Sequence, residues 1–183
     1  MEPGRYLISA KLRDGTAIVI RSIRAEDGDS LRTQFKFLSP DSVRLRFHGL
    51  RRSPTENQAI DLAKIDFVDH VALVATLQSN SEELIGVGRY IVCTEDKSLH
   101  RAEIAFVVLD DYQGKGIGSL LLKHLGILAR LQGLTHFQAD VLADNYRMIK
   151  VFEHSGFAVT RSIEGGVMRL QVTIAGHEQS GSN

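Results

Sequence analysis

The stretch DDYQGKGIGSLLLKHL, Asp110 to Leu125, places Gly114, Gly116 and Gly118 two residues apart around Lys115, directly after one apolar run and directly before a leucine-rich one. Glycine lacks a Cβ, so the chain can turn tightly here and a ligand can approach the main chain. If the leucine-rich run is a helix, its first N–H groups point outward without partners, at the positive end of the helix dipole. That makes a cradle for an anion, usually a phosphate group, with Lys115 adding charge at the rim. Two well-known phosphate loops are excluded by spacing. A nucleoside-triphosphate loop needs G-x-x-x-x-G-K-[ST], and Lys115 is followed by Gly116. A dinucleotide loop needs G-x-G-x-x-G, but from Gly114 the third glycine comes one place early, and from Gly116 the third position is Leu121. The plainer alternative is a turn whose glycines serve only chain geometry.

The elements around this loop set where it sits. TAIVIRSI (Thr16 to Ile23) is β-branched and follows the turn RDG, so it reads as a strand with RYLISAKL as its hairpin partner. From Ala25 to about Leu38 the pattern is helical, with Leu31, Phe35 and Leu38 on one face. SPDSVRLRFHG reads as a turn and a second short helix. SPTENQAIDLAKI carries Ser53 and Thr55 as candidate caps and Pro54 at a helix start. HVALVATL and LIGVGRYIVC flank the polar turn QSNSEE as an antiparallel pair, and TEDKSLH turns into RAEIAFVVL (Arg101 to Leu109). The glycine stretch then opens a helix to about Gln132, stopped at Gly133. THFQADVL is a strand, Asp144 to His154 a helix, and GF with VMRLQVTI one or two closing strands. The order predicts an α/β (α+β) fold: a mixed, mostly antiparallel sheet flanked by helices. The strands either side of the glycine helix should be parallel and neighbours or near-neighbours.

Composition limits the function classes. With 183 residues, 43% hydrophobic and 24% charged, the chain reads as one domain (1–175) with a proper core and a polar, disordered tail (176–183). Twenty-two basic residues balance 22 acidic ones, so nothing suggests bulk attraction to nucleic acid or to an anionic membrane. The start lacks the apolar core of a signal peptide, and no apolar run approaches the roughly 20 residues of a membrane helix. Cys93 is the only cysteine, so no internal disulfide forms. A soluble, cytoplasmic protein is the default expectation. The seven histidines show no H-E-x-x-H spacing, and no metal is expected. His70, His100 and His136 sit near strand ends, His154 near a helix end, and Cys93 in a strand as a buried residue.

The loop Q-x-x-G-x-G, Gln113 to Gly118, followed by NYRMIKVFEHSGF with Asn145, Met148, Val151, Phe152, Gly156 and Phe157, resembles the GNAT superfamily of N-acetyltransferases. The resemblance spans about Arg101 to Phe157. It implies the GNAT fold and acetyl-coenzyme A (acetyl-CoA) as cosubstrate. Gln113, Gly114, Lys115, Gly116, Ile117, Gly118 and Ser119 would hold the pyrophosphate, and Phe106, Val107 and Val108 the pantetheine arm through their main chain. Asn145 is either a pantetheine contact or a simple helix cap, with Asp144 competing for the cap. LRDGTAIVIRSIRAEDGDSLRTQFKFLSPDSVRLRFHG and AEIAFVVLDDYQGKGIG are similar to the catalytic domain of bacterial protein lysine acetyltransferases. Members of that group often carry a cyclic-nucleotide-binding or acyl-CoA-synthetase-like domain as well, for which 183 residues leave no room.

Acetyl transfer needs a neutral amine. A free lysine with pKa near 10.4 is only about one part in 10³ neutral at pH 7, and a positioned general base is worth about 10²–10⁴-fold. In those acetyltransferases the glutamate of the matching AEIAF stretch is the proposed base, which implies Glu103 here. In a regular strand Glu103, Ala105 and Val107 share one face, and Ile104, Phe106 and Val108 the other. Among apolar neighbours the carboxyl pKa would rise, which suits a base. The alternative is a strand-end glutamate in water or paired with Arg101 or Arg89. Phe152 departs from the family, which often has a tyrosine there to protonate the departing thiolate. Tyr112 and Tyr146 are poor substitutes, and a water or no acid suffices for so acidic a thiol. Arg44, Arg46, Arg51 and Arg52 form either a solvated face or a guide for an acidic substrate or the adenosine 3′-phosphate. The acceptor is a protein lysine or a small-molecule amine. The rival reading is a CoA-binding sensor without turnover. A homodimer is compatible with the sequence; a nucleic-acid or membrane partner is not expected.

Overall fold

Eight β-rich segments join into one sheet in a computed structural model that describes residues 2–47, 58, 61–93 and 100–174. The strands are β1 (Leu7–Lys11), β2 (Ala17–Ser22), β3 (His70–Leu77), β4 (Asn80–Val92), β5 (Arg101–Val108), β6 (His136–Leu142), β7 (Ala158–Glu164) and β8 (Val167–Thr173). Their order across the sheet is β1-β2-β3-β4-β5-β6-β8-β7. Every pair is antiparallel except β5–β6. The described helices are α1 (Gly28–Lys36), α2 (Pro40–Phe47), α3 (Ile117–Leu131) and α4 (Tyr146–Glu153). This is the mixed, mostly antiparallel sheet with helices that the element order predicts, and its parallel pair is the one joined through the glycine helix.

The apolar pattern explains the layers. β3 is buried along almost its whole length because it carries helices on both faces. On one face Ile117, Leu121, Leu122, Leu125 and Leu128 of α3 pack on Ile104, Phe106 and Phe137. On the other, Leu31, Phe35 and Leu38 meet Val74, Val87 and Val107, as their shared helical face predicts. α3 lies close because β4 is bare beneath it. A Cβ on Gly86 would stand 2.9 Å from Ile117, and one on Gly88 2.7 Å from Phe106. The segment from Ala25 is a 3-10 turn (Ala25–Asp27) followed by α1, and not one continuous helix. There the buried Asp27 carboxylate takes both Arg21 nitrogens at 2.7 Å and fixes the start of α1 against β2.

Two closing strands, β7 and β8, form where one or two are expected. Gly133, at φ +80°, ends α3. Cys93 lies one residue beyond β4, at the end of its ladder with β5, and is half-buried, not a buried strand residue. The helix expected around Ser53, Pro54 and Thr55, the turn at 94–99, Arg51, Arg52 and the tail 176–183 lie outside the described residues. Among the described residues no helix is long and apolar enough to cross a membrane.

Candidate active site

β5 and β6 pair only from Arg101 to Glu103, against His136 to Gln138, and then part. A cleft of about 900 Å³ opens where they diverge, floored by β5 and β6 and flanked by α2, the glycine loop and α4. The register tells which main-chain groups face it. The bonds Cys93 N–H to Arg101 C=O and Leu109 N–H to Ile85 C=O bracket the β4–β5 ladder. In an antiparallel ladder the hydrogen-bonding direction alternates, so odd residues of β5 serve β4 and even ones face the other edge. Phe106 and Val108 therefore turn their main chain toward the cleft, with no β6 residue opposite them. Val107 spends its main chain on β4 and buries its side chain beside α1.

The glycine loop stands at the far end of β5. Gly114 and Gly116 have φ +76° and +102°, a region that L side chains rarely adopt. Gly118 serves packing instead: a Cβ there would touch Val151 of α4 at 3.4 Å. α3 has Gly116 as its N-cap and no side-chain cap bond. The first amide with a main-chain partner is that of Leu120, which donates to Gly116 C=O. Among the described residues the N–H groups of residues 114 to 119 have no partner. A run of orphan amides at the positive end of a 15-residue helix suits the diphosphate of acetyl-CoA.

Of the residues expected at the site, Glu103, Phe106, Val107, Val108, Gln113, Gly114, Gly116, Ile117, Gly118, Ser119 and Asn145 all line this cleft. Lys115 does not. Its ammonium lies 3.2 Å from the Asp14 carboxylate and 5.1 Å above the Tyr112 ring. Hydrogen bonds from Thr16, with Lys115 assisting, hold the Asp14 carboxyl down at about 2, so the pair stays charged. A cation at the loop that sequence reasoning missed is Arg13, which lines the cleft. Its main-chain N–H donates to Lys115 C=O, and its side-chain Nε lies 3.7 Å from where a Gly116 Cβ would be. The RDG turn signals only a hairpin; nothing local in it points across to Gly116.

Gln113 works as a junction. Its Nε2 donates to Val108 C=O at 3.1 Å and to Ser42 Oγ at 3.0 Å, while its Oε1 accepts from Arg147 at 2.8 Å. Ser39 and Ser42 in turn bond Asp110. Burial raises the Asp110 carboxyl, but the bonds from Ser39 and Ser42 outweigh it and leave its pKa lowered. Arg44 reaches from α2 to Asp144 at 3.0 Å as well as to Asp41. These bonds strap α2 over the cleft. Asp144 is thereby occupied, and Asn145 is the cap of α4, its Oδ1 accepting from Met148 N–H at 3.2 Å. The Asn145 amide nitrogen remains for a ligand. Phe152 is buried, its ring 5.9 Å from Phe106, so the cleft holds no hydroxyl at that position.

Glu103 is exposed at the cleft's lip, on the α1–α2 face of β5. The apolar enclosure expected around it is not present, because its strand neighbours on that face are Arg101 and Ala105, and Ile91 opposite is itself half-exposed. No ion pair to Arg101 or Arg89 forms. The neighbouring cation is Arg46 of α2, which lines the same cleft. Burial lowers the pKa of Arg46, and the Glu103 charge acts against that shift. Behind it, burial and the Arg46 charge bring Arg89 down to about 10. Burial and Arg89 then hold His70 down to about 4, which keeps its ring neutral.

Comparison with known proteins fits this arrangement. Residues 43–157 match the model of the acetyltransferase (GNAT) family. The chain is 32% identical over 161 residues to acetyltransferase Pat of Mycolicibacterium smegmatis, covering 88% of this chain and 47% of that protein. It thus spans about half the length of that relative. It is 32% identical over 138 residues to acetyltransferase PA5475 of Pseudomonas aeruginosa, covering 75% and 73% of the two chains. The GNAT domain of S. lividans PAT superposes with a TM-score of 0.80 at 34% identity, over 90% of this chain and 95% of that one.

Proposed function

Because this chain belongs to the acetyltransferase (GNAT) family of acyl-CoA-dependent N-acetyltransferases, we propose that it passes the acetyl group of acetyl-CoA directly to a lysine side chain of another protein, with Glu103 as general base. One observation carries the reading: orphan amides at 114–119, the open main chain of Phe106 and the Val108 N–H line one cleft with a carboxylate, on the strand that ends at those amides. The lysine acceptor draws further on the likeness of residues 12–49 and 102–118 to bacterial protein lysine acetyltransferases. It also draws on Glu103 standing at an exposed lip that a protein surface can reach.

Bound acetyl-CoA supplies a thioester carbonyl for the amine to attack. The amides of 114–119 hold the diphosphate, and Phe106 and Val108 align the pantetheine arm as an added strand would. Glu103 takes the proton of the lysine ammonium, directly or through one water. The freed nitrogen then forms the new C–N bond as the C–S bond breaks, the thiolate leaves, and the nitrogen gives its second surplus proton to water. Phe152 provides no proton to that thiolate; a thiol pKa near that of cysteine, about 8.5, lets it leave without one. Arg46, beside Glu103, offsets the carboxylate's charge in the resting site.

The test is thiol release from acetyl-CoA with whole-cell protein, with polyamines and amino acids, and with no acceptor, read alongside mass-spectrometric mapping of modified lysines. Modified lysines and protein-dependent thiol release support the reading. Release with small amines alone moves the acceptor to a small molecule. Tight acetyl-CoA binding with no release leaves a sensor, the reading that Phe152 favours.

The exchange of Lys115 for Arg13 at the loop has its own expected result. Arg13→Ala should weaken acetyl-CoA about tenfold, the scale of one charge-assisted hydrogen bond, while Lys115→Ala changes affinity less than threefold. Calorimetric Kd values for acetyl-CoA with the two variants decide it; an equal loss in both rejects the assignment of Arg13.

A further inference from the structure

Beyond Glu103 the cleft face continues as an open, polar sheet surface. Alternation and register put Arg101 and Glu103 of β5, His136, Gln138 and Asp140 of β6, Arg169 and Gln171 of β8, and Thr160 of β7 on one face. The opposite side chains, Phe137, Ala139, Leu170 and Val172, are core. A polar depression of about 180 Å³ lies on this face, lined among others by Arg101, His136, Gln138 and Arg169.

The charges in it are unequally matched. Arg169 is spoken for, with Nε 2.9 Å and a terminal nitrogen 3.2 Å from the Asp140 carboxylate. His136 bonds Thr135 at 2.8 Å. Arg101 has no carboxylate at ion-pair distance among the described residues, and its Nε is buried with no hydrogen-bond partner. Among the described residues the guanidinium has no counter-charge within reach, and a carboxylate arriving at its terminal nitrogens would supply one.

Arg101 and Glu103 are two residues apart on one strand face, about 7 Å along the strand. They form a plus–minus pair. An extended polypeptide with an acidic residue two places from a lysine presents the reverse pair at the same spacing. We propose that this sheet face docks the acceptor polypeptide, with Arg101 receiving an acidic side chain within two residues of the lysine that Glu103 serves. The inference rests on the protein-lysine reading above and adds its sequence preference.

The test uses short peptides with one lysine and glutamate or glutamine two residues to either side. Two quantities are measured with wild type and Arg101→Gln: kcat/KM for acetylation, and binding by fluorescence anisotropy with CoA present. The wild type should prefer a glutamate peptide about tenfold in both, and the preference should shrink as salt rises. Arg101→Gln should erase it while leaving the calorimetric Kd for acetyl-CoA unchanged. A wild type indifferent to the glutamate overturns the docking proposal without any variant, as does a variant that keeps the preference. The two readings fail separately. Arg101-dependent binding without acetylation upholds the docking face and removes the lysine acceptor. Acetylation without acidic preference does the opposite.

Discussion

Glu103→Gln is expected to bind acetyl-CoA as the wild type does and to lose about 10²–10⁴-fold of kcat at neutral pH. Glutamine keeps the shape and polarity of the side chain and removes its proton affinity. The loss reflects the amine's own equilibrium, since only about one lysine in 10³ is neutral at pH 7. Raising the pH makes up for a missing base: the variant's rate should climb about tenfold per pH unit toward the acceptor's pKa, more steeply than the wild type's. The exposed position of Glu103 suits the task, because the base must meet an amine arriving from solvent while the thioester comes from the buried end of β5. Near-normal turnover of the variant at pH 7 would remove Glu103 as the base and leave a water, or a residue outside the described segments, to take the proton.

The second large effect belongs to Gly116→Val. Its φ of +102° excludes a β-branched side chain without strain, and its N–H stands within the run of orphan amides. The added Cβ would come within 4 Å of Arg13, inside the cradle itself. We expect acetyl-CoA affinity to fall at least about 100-fold, equivalent to about 2.7 kcal/mol. Gly133→Val is the control. It has φ +80° with open space around it at the other end of α3, so it carries similar strain away from the cleft. Both variants should melt earlier, and only Gly116→Val should lose acetyl-CoA in calorimetry. Retained affinity in a folded Gly116→Val protein rejects the loop as the diphosphate site.

Several roles moved between sequence and structure for one physical reason. A residue's type is local, while its partner is a matter of where the chain returns. Lys115 has the right charge and the right address, yet Asp14, a hundred residues earlier, holds its ammonium. Arg13 arrives beside Gly116 because β1 and β2 turn there. Asn145 carries the side chain of either a cap or a ligand contact; the Met148 amide takes its oxygen, and only its amide nitrogen is left over. Gln113 stands in the loop motif but spends its side chain on Val108, Ser42 and Arg147, joining β5, α2 and α4.

By itself the sequence determined the elements that depend on short-range pattern: the β-branched strands, the α1 face of Leu31, Phe35 and Leu38, the positive-φ glycines of the loop, and the parallel strand pair implied by a strand–helix–strand run. It also determined the family, because spaced glycines, asparagine and Gly-Phe record demands of main-chain geometry that few other residues meet. Tertiary structure alone decided where β5 and β6 stop pairing, and so which main-chain groups are left open. It also decided which cation reaches the loop, which carboxylates are already paired, and that Arg101 is left without one. Those are differences between competing partners brought together from distant parts of the chain, and no local window of residues contains them.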